Sequence, residues 1–507
     1  MDQQDSRLAN NQPKTLASRK LDARMNTMQT KTTPTRRAFL AENAMGLGMF
    51  ALASLLAEEK LLGVPKTVQL QPPVFDMHPK KPHRQSSAKA MISLFQHGGP
   101  SHIDLMDPKP ELDRLDGKTY DGEIGYSFIK RASKRLKGCQ WKFSKHGECG
   151  TEISELMPEL GSIADDICIV RSMQTGYNGH EVSIRYMNNG IAGVTGRPSL
   201  GSWITYALGS ETQNLPAYIV LTDPGGHPVD GVHNWSNGWM PSLFQGTVLR
   251  PKEPRILNLD APEHLRGELQ QHNLSFLDQL NRRHLQRHPG EHDLEARIAS
   301  YELAARMQDA AREALDLSQE TEATKRLYGL DQDETREYGA RCLLARRLVE
   351  RGVRFVQLFL AGQPWDNHNA IHESLPAVCR RTDKPAAALV KDLKQRGMLD
   401  EVLVHWGGEI GRLPVTEGDP KTGGRDHNGQ GFSTWLAGGG TQGGITYGAT
   451  DEVGHRAVEN IVKAHDYQAT VLHLLGMNYQ DLFYLHNGQE QRLVVHDDAK
   501  VVKAIMR

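Results

Sequence analysis

The sequence predicts an α/β fold with a mainly parallel β-sheet covered by helices on both faces, and three observations predict it. Short, largely apolar runs recur along the chain, Ala90–Phe95, Ile167–Val170, Leu215–Leu221, Val353–Leu360 and Val402–Trp406. Their near-continuous hydrophobicity is that of strands buried on both faces. Segments of helical period alternate with them, and Asp293–Leu317 and Glu334–Arg351 carry many opposite charges four residues apart. Finally, Gly, His, Asp and Glu directly follow the apolar runs, at the carboxyl ends where an open parallel sheet binds ligands.

Composition bounds the function. A chain of 507 residues can bury a large core. Its 60 Lys and Arg against 61 Asp and Glu leave a formal charge of −1, with no basic excess to neutralise phosphates, so nucleic acid is excluded as a main partner. The 48 glycines gather in loops without a period, which excludes a fibrous repeat. Five cysteines, Cys139, Cys149, Cys168, Cys342 and Cys379, fall at irregular spacing with no CxxC, which excludes a zinc knuckle and a redox dithiol. Whether Cys139 and Cys149 pair in an oxidising compartment is left open.

Residues 1–57 read as a targeting signal. Residues 1–37 hold eight basic against three acidic residues and end in Arg36-Arg37. The weakly apolar run that follows, Ala44–Ala57, has 14 residues, too few to span a bilayer comfortably. Basic region, twin arginine and Gly/Ala-rich core together resemble a twin-arginine (Tat) export signal, which implies the Tat machinery as a partner and a periplasmic or cell-surface location. Residues 58–88 are Pro- and Lys-rich and read as a linker, 89–490 as one α/β domain, and 491–507 as a C-terminal tail.

Within the domain the first strand stops at a Gly-Gly-Pro loop carrying His97, His102 and Asp104. From Asp107 to Gly150 no fold signal is legible; Ile153–Ile163 reads as a helix and leads into the strand at Ile167. That strand closes with Arg171, Ser172 and Thr175. A helix beginning near His180 ends at Gly190. His180 is thereby near the free amides of a helix start, where an anion is favoured, or else Asn178 caps the helix and His180 faces solvent. Residues 228–256, rich in Trp, Gly and Pro, read as a substrate-side loop, and Trp235–Trp239 as a lesser option for carbohydrate binding. The helices 293–317 and 334–351 read as solvent-facing covers. After the strand at 353–360, Asp366 and His368 alternate on one face of an extended loop, and His372 heads the next helix. The last helix is read over Ala457–Leu475, stopped by Gly476.

The stretch these elements serve is 402–437. Its strand breaks into Gly407-Gly408, followed by Glu409 and Arg412; a Gly-rich loop then reaches Arg425-Asp426-His427-Asn428 before a second apolar run, Phe432–Ala437. Carboxylates and imidazoles on loops at strand ends are the ligand types of a divalent-metal site. Arg171, Arg412 or Arg425 is suited to holding anionic oxygens bidentately.

The segments LFQHGGPSHIDLMDPKPEL, ADDICIVRSMQT, GRPSLGSW, RRLVERGVRFVQL, WDNH, WGGEIGR and GRDHN carry a resemblance. Over roughly residues 88–490 the chain resembles the family catalogued as domain of unknown function 1501, itself similar to the alkaline phosphatase and sulfatase superfamily. The resemblance implies an alkaline-phosphatase-like sandwich and one or two divalent ions, zinc, manganese or calcium. Position by position, it implies His97, with Asp104 as substitute, as the ligand after the first strand. It implies Asp366 with His368 or His372 after a later one, Glu409 where the superfamily has Asp-His, and His427, beside Asp426, last. The covalent nucleophile of the superfamily falls at His180, a departure that leaves Thr175, Ser172 or a metal-activated hydroxide for that role. The implied function is an exported metal-dependent hydrolase of phosphate or sulfate esters, small-molecule or polysaccharide. The alternative is a non-catalytic binding or scaffold protein that keeps the fold, with or without a structural metal.

Overall fold

The computed structural model describes residues 77–127, 133–288 and 291–507, and the signal read over 1–57 lies outside them. Strands β1 (Ala90–Phe95), β2 (Ile167–Gln174), β3 (Tyr218–Leu221), β4 (Thr247–Leu249), β5 (Phe355–Phe359), β6 (Val402–Gly407), β9 (Phe432–Ala437) and β10 (Ile445–Tyr447) form one sheet in the order β10-β2-β9-β6-β1-β5-β3-β4. A short β11 (Val462–Lys463) also pairs with β2. All neighbours run parallel except β9, which is antiparallel to both β6 and β2. An antiparallel hairpin, β7 (Gly411–Glu417) with β8 (Gly424–Asn428), fills the connection from β6 to β9.

The helices lie on both faces, as the patterning predicts. In β1 the side chains of Ala90, Ile92 and Leu94 enter one core and those of Met91 and Phe95 the other, so every residue of the strand is buried. Helices α5 (Asp333–Glu350) and α6 (Ile371–Gln395) close the first core; α1 (His180–Asn189), α2 (Leu200–Leu208) and α7 (Ala464–Leu474) close the second. Among the described residues no helix is long and apolar enough to cross a membrane.

Several expected elements differ, each for a local reason. Ile153–Ile163 is not one helix. Thr151–Ser154 is a strand paired with Phe143–His146, and only Pro158–Gly161 is helical, because Pro158 permits a helix to start at it and disfavours helix before it. Ala457–Leu475 is helical only from Ala464: Asn460 is left-handed at φ 47°, β11 follows, and the Asp466 carboxylate accepts from the Lys463 amide at the helix start. Of the two covering helices, the second differs from expectation. In α5, Arg341, Arg346 and Arg347 are buried, with Arg341 on Asp223 (2.7 Å) and Arg346 on Asp392 (2.9 Å) and Glu320 (2.8 Å). The helix α4 (His292–Leu315) keeps its expected place, while α3 (Glu268–Arg287) before it was not foreseen. Residues 77–88 of the expected linker hydrogen-bond to the body, Lys80 N to Leu208 O (2.9 Å) and Ala88 N to Leu474 O (3.0 Å). Leu493, Val494, Val502 and Ile505 of the expected tail are buried in the second core.

Candidate metal centre

The loops after β1, β2, β5 and β6 meet at the carboxyl edge of the parallel strands, and the β7–β8 hairpin joins them there because antiparallel β9 begins at that edge. Close backbone approach fixes the geometry. Gly98 has φ 103°, and a Cβ on it would stand 2.6 Å from Asp366 N, so only glycine lets the β1 loop pass the β5 loop. Gly98 N donates to Glu409 Oε1 (3.0 Å), Trp365 N to His97 O (3.3 Å) and Trp365 Nε1 to Gln96 Oε1 (2.9 Å). The hairpin is tied to the same loop by Gly424 N on His368 O (2.9 Å) and Arg425 N on Asn367 O (3.0 Å).

Three imidazoles converge on one carboxylate oxygen. From Asp366 Oδ1, His368 Nε2 lies 2.9 Å away, His427 Nε2 3.1 Å and His180 Nε2 3.4 Å. His368 Nε2 and His427 Nε2 are themselves 2.9 Å apart. Each ring is held from behind through Nδ1: His180 donates to Glu409 Oε1 (2.6 Å), His427 to Asn178 O (2.7 Å) and His368 to Glu417 Oε2. A carboxylate or carbonyl on Nδ1 fixes the tautomer that leaves Nε2 as the lone-pair donor, the arrangement that orients histidines toward metals. The donor set therefore fits a divalent cation. Two groups, His180/Asp366/His427 and His368/Asp426/His427, have ligand atoms mutually within 4.8 Å and share His427. Arg412, wholly buried, meets the same Asp366 oxygen at 2.5 Å.

The model of the family described as "Protein of unknown function (DUF1501)" matches residues 88–506. The chain belongs to the DUF1501 family. No curated protein matches it. Among solved structures it is similar to a sulfatase from Pseudoalteromonas sp. (12% identity, 77% of this chain and 68% of that one, TM-score 0.34). It is likewise similar to a phosphonate monoester hydrolase from Silicibacter pomeroyi (10% identity, 83% and 76%, TM-score 0.34). An alkaline phosphatase from the Antarctic bacterium TAB5 gives 10% identity, 71% and 95%, and TM-score 0.26. Likenesses this distant say nothing of activity.

Electrostatics in this DUF1501 protein follow from the convergence. Burial raises the Asp366 carboxyl, but the imidazoles of His180, His368 and His427, which hydrogen-bond it when Nε2 carries a proton in place of an ion, and the charge of Arg412 outweigh it and hold the group well below the carboxylate range. Burial lowers His368, yet Asp366 and Glu417 raise it to about 9. His180 is raised in the same way, by Asp366 and Glu409 against burial. His427 goes the other way, lowered by burial and by the charges of Arg412 and His180 despite Asp366.

Other residues singled out in the sequence take different places. Glu409, fully buried, orients His180 with Oε1, while its Oε2 is buried without a hydrogen bond. His97 is also fully buried, between Phe95 (4.7 Å) and Phe359 (5.2 Å), with neither ring nitrogen hydrogen-bonded; burial lowers it to about 4. Asp104 lies apart from the cluster, paired with Arg425 through two hydrogen bonds of 2.8 and 2.9 Å, so neither Asp104 nor Arg425 is presented to the cluster. Arg171 lies 3.7 Å from Asp107, and Ser172 Oγ donates to Asn460 O (2.7 Å). Thr175 Oγ1 is 3.4 Å from both Tyr177 O and Ser183 Oγ, a brace between its own loop and α1. Asp426 accepts from the amides of His427 (2.7 Å) and Ser127 (2.9 Å) while lying near the His368–His427 pair. His372 reaches Glu373 (3.5 Å) on the exposed start of α6. Cys139 and Cys149 are free thiols, and Trp235 is buried in the second core, which removes it from any carbohydrate surface.

Sequence reading missed Glu417, and its option of Asn178 as helix cap with His180 in solvent gives way to Gly179 at the cap position and a buried His180. Glu417 ends β7 after an apolar run, the same signal that marked Glu409, but the Gly-rich surroundings concealed the strand. Asn178 acts through its backbone carbonyl, for which no side-chain signal exists.

Proposed function

We propose that this DUF1501 protein is a metal-dependent hydrolase of phosphate or sulfate esters, exported through the Tat pathway to the periplasm or cell surface. The observation that carries the reading is the convergence of three back-bonded imidazoles on Asp366 Oδ1. His180, His368, His427 and Asp366 would hold the ion, zinc or manganese, since three imidazoles with one carboxylate disfavour calcium, which takes oxygen ligands. A divalent cation supplies charge neutralisation of the ester oxygens and lowers the pKa of water.

The protein's own part is positional. Glu409, Glu417 and the Asn178 carbonyl keep the three rings aimed, and Arg412 balances the carboxylate's charge while holding the β1 loop through the Gly98 and Gly99 carbonyls. Thr175 and Ser183 hydroxyls are turned to Tyr177 O, which favours water over a side-chain hydroxyl as the attacking group. A second reading, a binding or scaffold protein without turnover, is favoured by one observation: the Arg412 guanidinium already neutralises Asp366.

Elemental analysis of protein purified without chelator, with hydrolysis of aryl phosphates and aryl sulfates, tests the proposal. Stoichiometric metal and turnover, both lost in Asp366→Asn, is the expected result. Bound metal without turnover on either ester class establishes the second reading, and metal content unaltered by Asp366→Asn refutes the site.

A further inference from the structure

A second group of metal-ligating side chains lies where α7 starts, outside the cluster around Asp366. His465, His496 and Asp498 offer ligand atoms mutually within 4.8 Å. The imidazoles of His465 and His496 stack with centroids 4.3 Å apart, 29° from parallel. Tyr186 Oη, from α1, lies 2.7 Å from His465 Nδ1 and 3.3 Å from His496 Nε2. A phenolic oxygen accepts two hydrogen bonds, so it can take an N–H from each ring; the opposite nitrogen of each is then a lone-pair donor. His465 is 2% exposed, and its Nε2 is buried with no hydrogen bond. That nitrogen is 3.6 Å from Asp498 Oδ1 and 3.7 Å from Asp466 Oδ1. Asp466 is engaged by the amides of Lys463 (3.0 Å) and Lys500 (2.8 Å), whereas Asp498 Oδ2 is paired with Lys463 Nζ (2.6 Å) and Oδ1 faces His465. A cavity of about 230 Å³, bounded also by Gln174 and Thr175, opens onto the group and leaves room for water to complete a coordination shell.

We propose that His465, His496 and Asp498 form a second, separate site for a borderline divalent cation. Two imidazoles with one carboxylate select zinc, cobalt or nickel over magnesium or calcium, which take oxygen ligands. An orphaned, buried imidazole nitrogen is the feature such an ion satisfies, since a hydrogen-bonding group left unmade in the interior is unfavourable. The ion joins three segments distant in sequence: the start of α7, residues 496–498 and, through Tyr186, the helix whose first residue is His180. It thereby fastens the C-terminal segment beside the ring that faces Asp366.

The test is Co²⁺ and Zn²⁺ stoichiometry by equilibrium dialysis with elemental analysis, on the full chain and on His496→Gln, Asp498→Asn and His427→Gln. We expect one equivalent to disappear in His496→Gln and to weaken tenfold or more in Asp498→Asn, while His427→Gln retains it. That same equivalent should show the visible absorption of a nitrogen-ligated Co²⁺. Unchanged stoichiometry and affinity in both His496→Gln and Asp498→Asn overturns the proposal, as does binding that needs millimolar metal. Asp498 is exposed and its isosteric change leaves the core untouched, so a folding failure of His496→Gln does not remove the test. His427→Gln separates the two sites: loss of an equivalent in that variant alone speaks to the Asp366 cluster and overturns the second site.

Discussion

Glu417→Gln isolates what a buried carboxylate behind a histidine contributes. Glu417 is 3% exposed, receives His368 Nδ1 on Oε2, and has Oε1 buried without a hydrogen bond. Glutamine keeps the shape and an acceptor oxygen and removes the charge. Two effects then oppose each other. Loss of the orienting charge weakens metal binding by about 10–100-fold, roughly 1.4–2.8 kcal/mol. Loss of the same charge also lowers His368 from about 9, so fewer protons compete with the ion at neutral pH. In the unaltered protein, the ion must displace a proton from His368 below that value, and affinity should rise up to about tenfold per pH unit until pH 9 or so. The variant is therefore best compared at about pH 9.5, where His368 is neutral in both proteins and only the orienting effect persists. Competition with a chromophoric chelator in zinc buffers reads the affinity. We expect a 10–100-fold loss there, a smaller loss at pH 7, and a flatter pH profile. Affinity within twofold of the unaltered protein at the higher pH, with the fold intact, refutes the assignment of Glu417.

Three further outcomes are expected. Gly98→Ala forces a Cβ to 2.6 Å from Asp366 N at φ 103° and should destabilise by about 1–3 kcal/mol while displacing Asp366; urea unfolding and metal affinity both unchanged would contradict the close approach. His405 is buried, and burial lowers it to about 3 against 6.5 unfolded. A depressed group of this kind leaves stability complete above pH 6.5 and removes it as pH falls toward 3, by up to about 5 kcal/mol, so His405→Gln should flatten the stability–pH curve in that window and an unaltered slope would exclude His405 as its source. Arg346→Met takes one buried cation from Asp392 and Glu320, leaving Asp392 to Arg396 and Tyr328 and Glu320 to Arg347, and should destabilise by about 1–3 kcal/mol in chemical denaturation, whereas an unchanged stability would mean that the remaining partners suffice.

The sheet was legible because strands buried on both faces have no polar alternation to confuse with other patterns, and every residue of β1 and β6 is buried. Asp366 and His368 were legible because they follow the apolar run 353–360, and His427 because it stands between a Gly-rich loop and the apolar run 432–437. The β7–β8 hairpin was not, since its turn is built from Gly418, Asp419 and Gly423, which read as featureless loop, and its apolar residues Leu413 and Val415 serve a small third core with Ile103, Leu112 and Leu136. Glu409 was correctly placed at the rim, yet it reaches His180 rather than pointing among the converging nitrogens, a distinction of side-chain direction that spacing does not encode. The burial of α5 was hidden because arginines paired across 26 or more residues look like a solvated face when only neighbours four apart are compared. Asp104 and Arg425 misled for the same reason: each is a plausible ligand or anion clamp alone, and they satisfy each other across 321 positions.

The single reversed strand, β9, has a consequence for how such a centre can change. Because β9 enters the sheet at the edge where β6 leaves it, the chain between them never crosses the molecule; residues 408–431 are spent wholly above the rim. Glu409, Arg412, Glu417, Asp426 and His427 all come from this one excursion. Lengthening or reshaping its exposed tip at 418–422 can therefore remodel the mouth of the centre without moving any strand, so a common sheet can be fitted with differing rims by editing one short stretch of sequence.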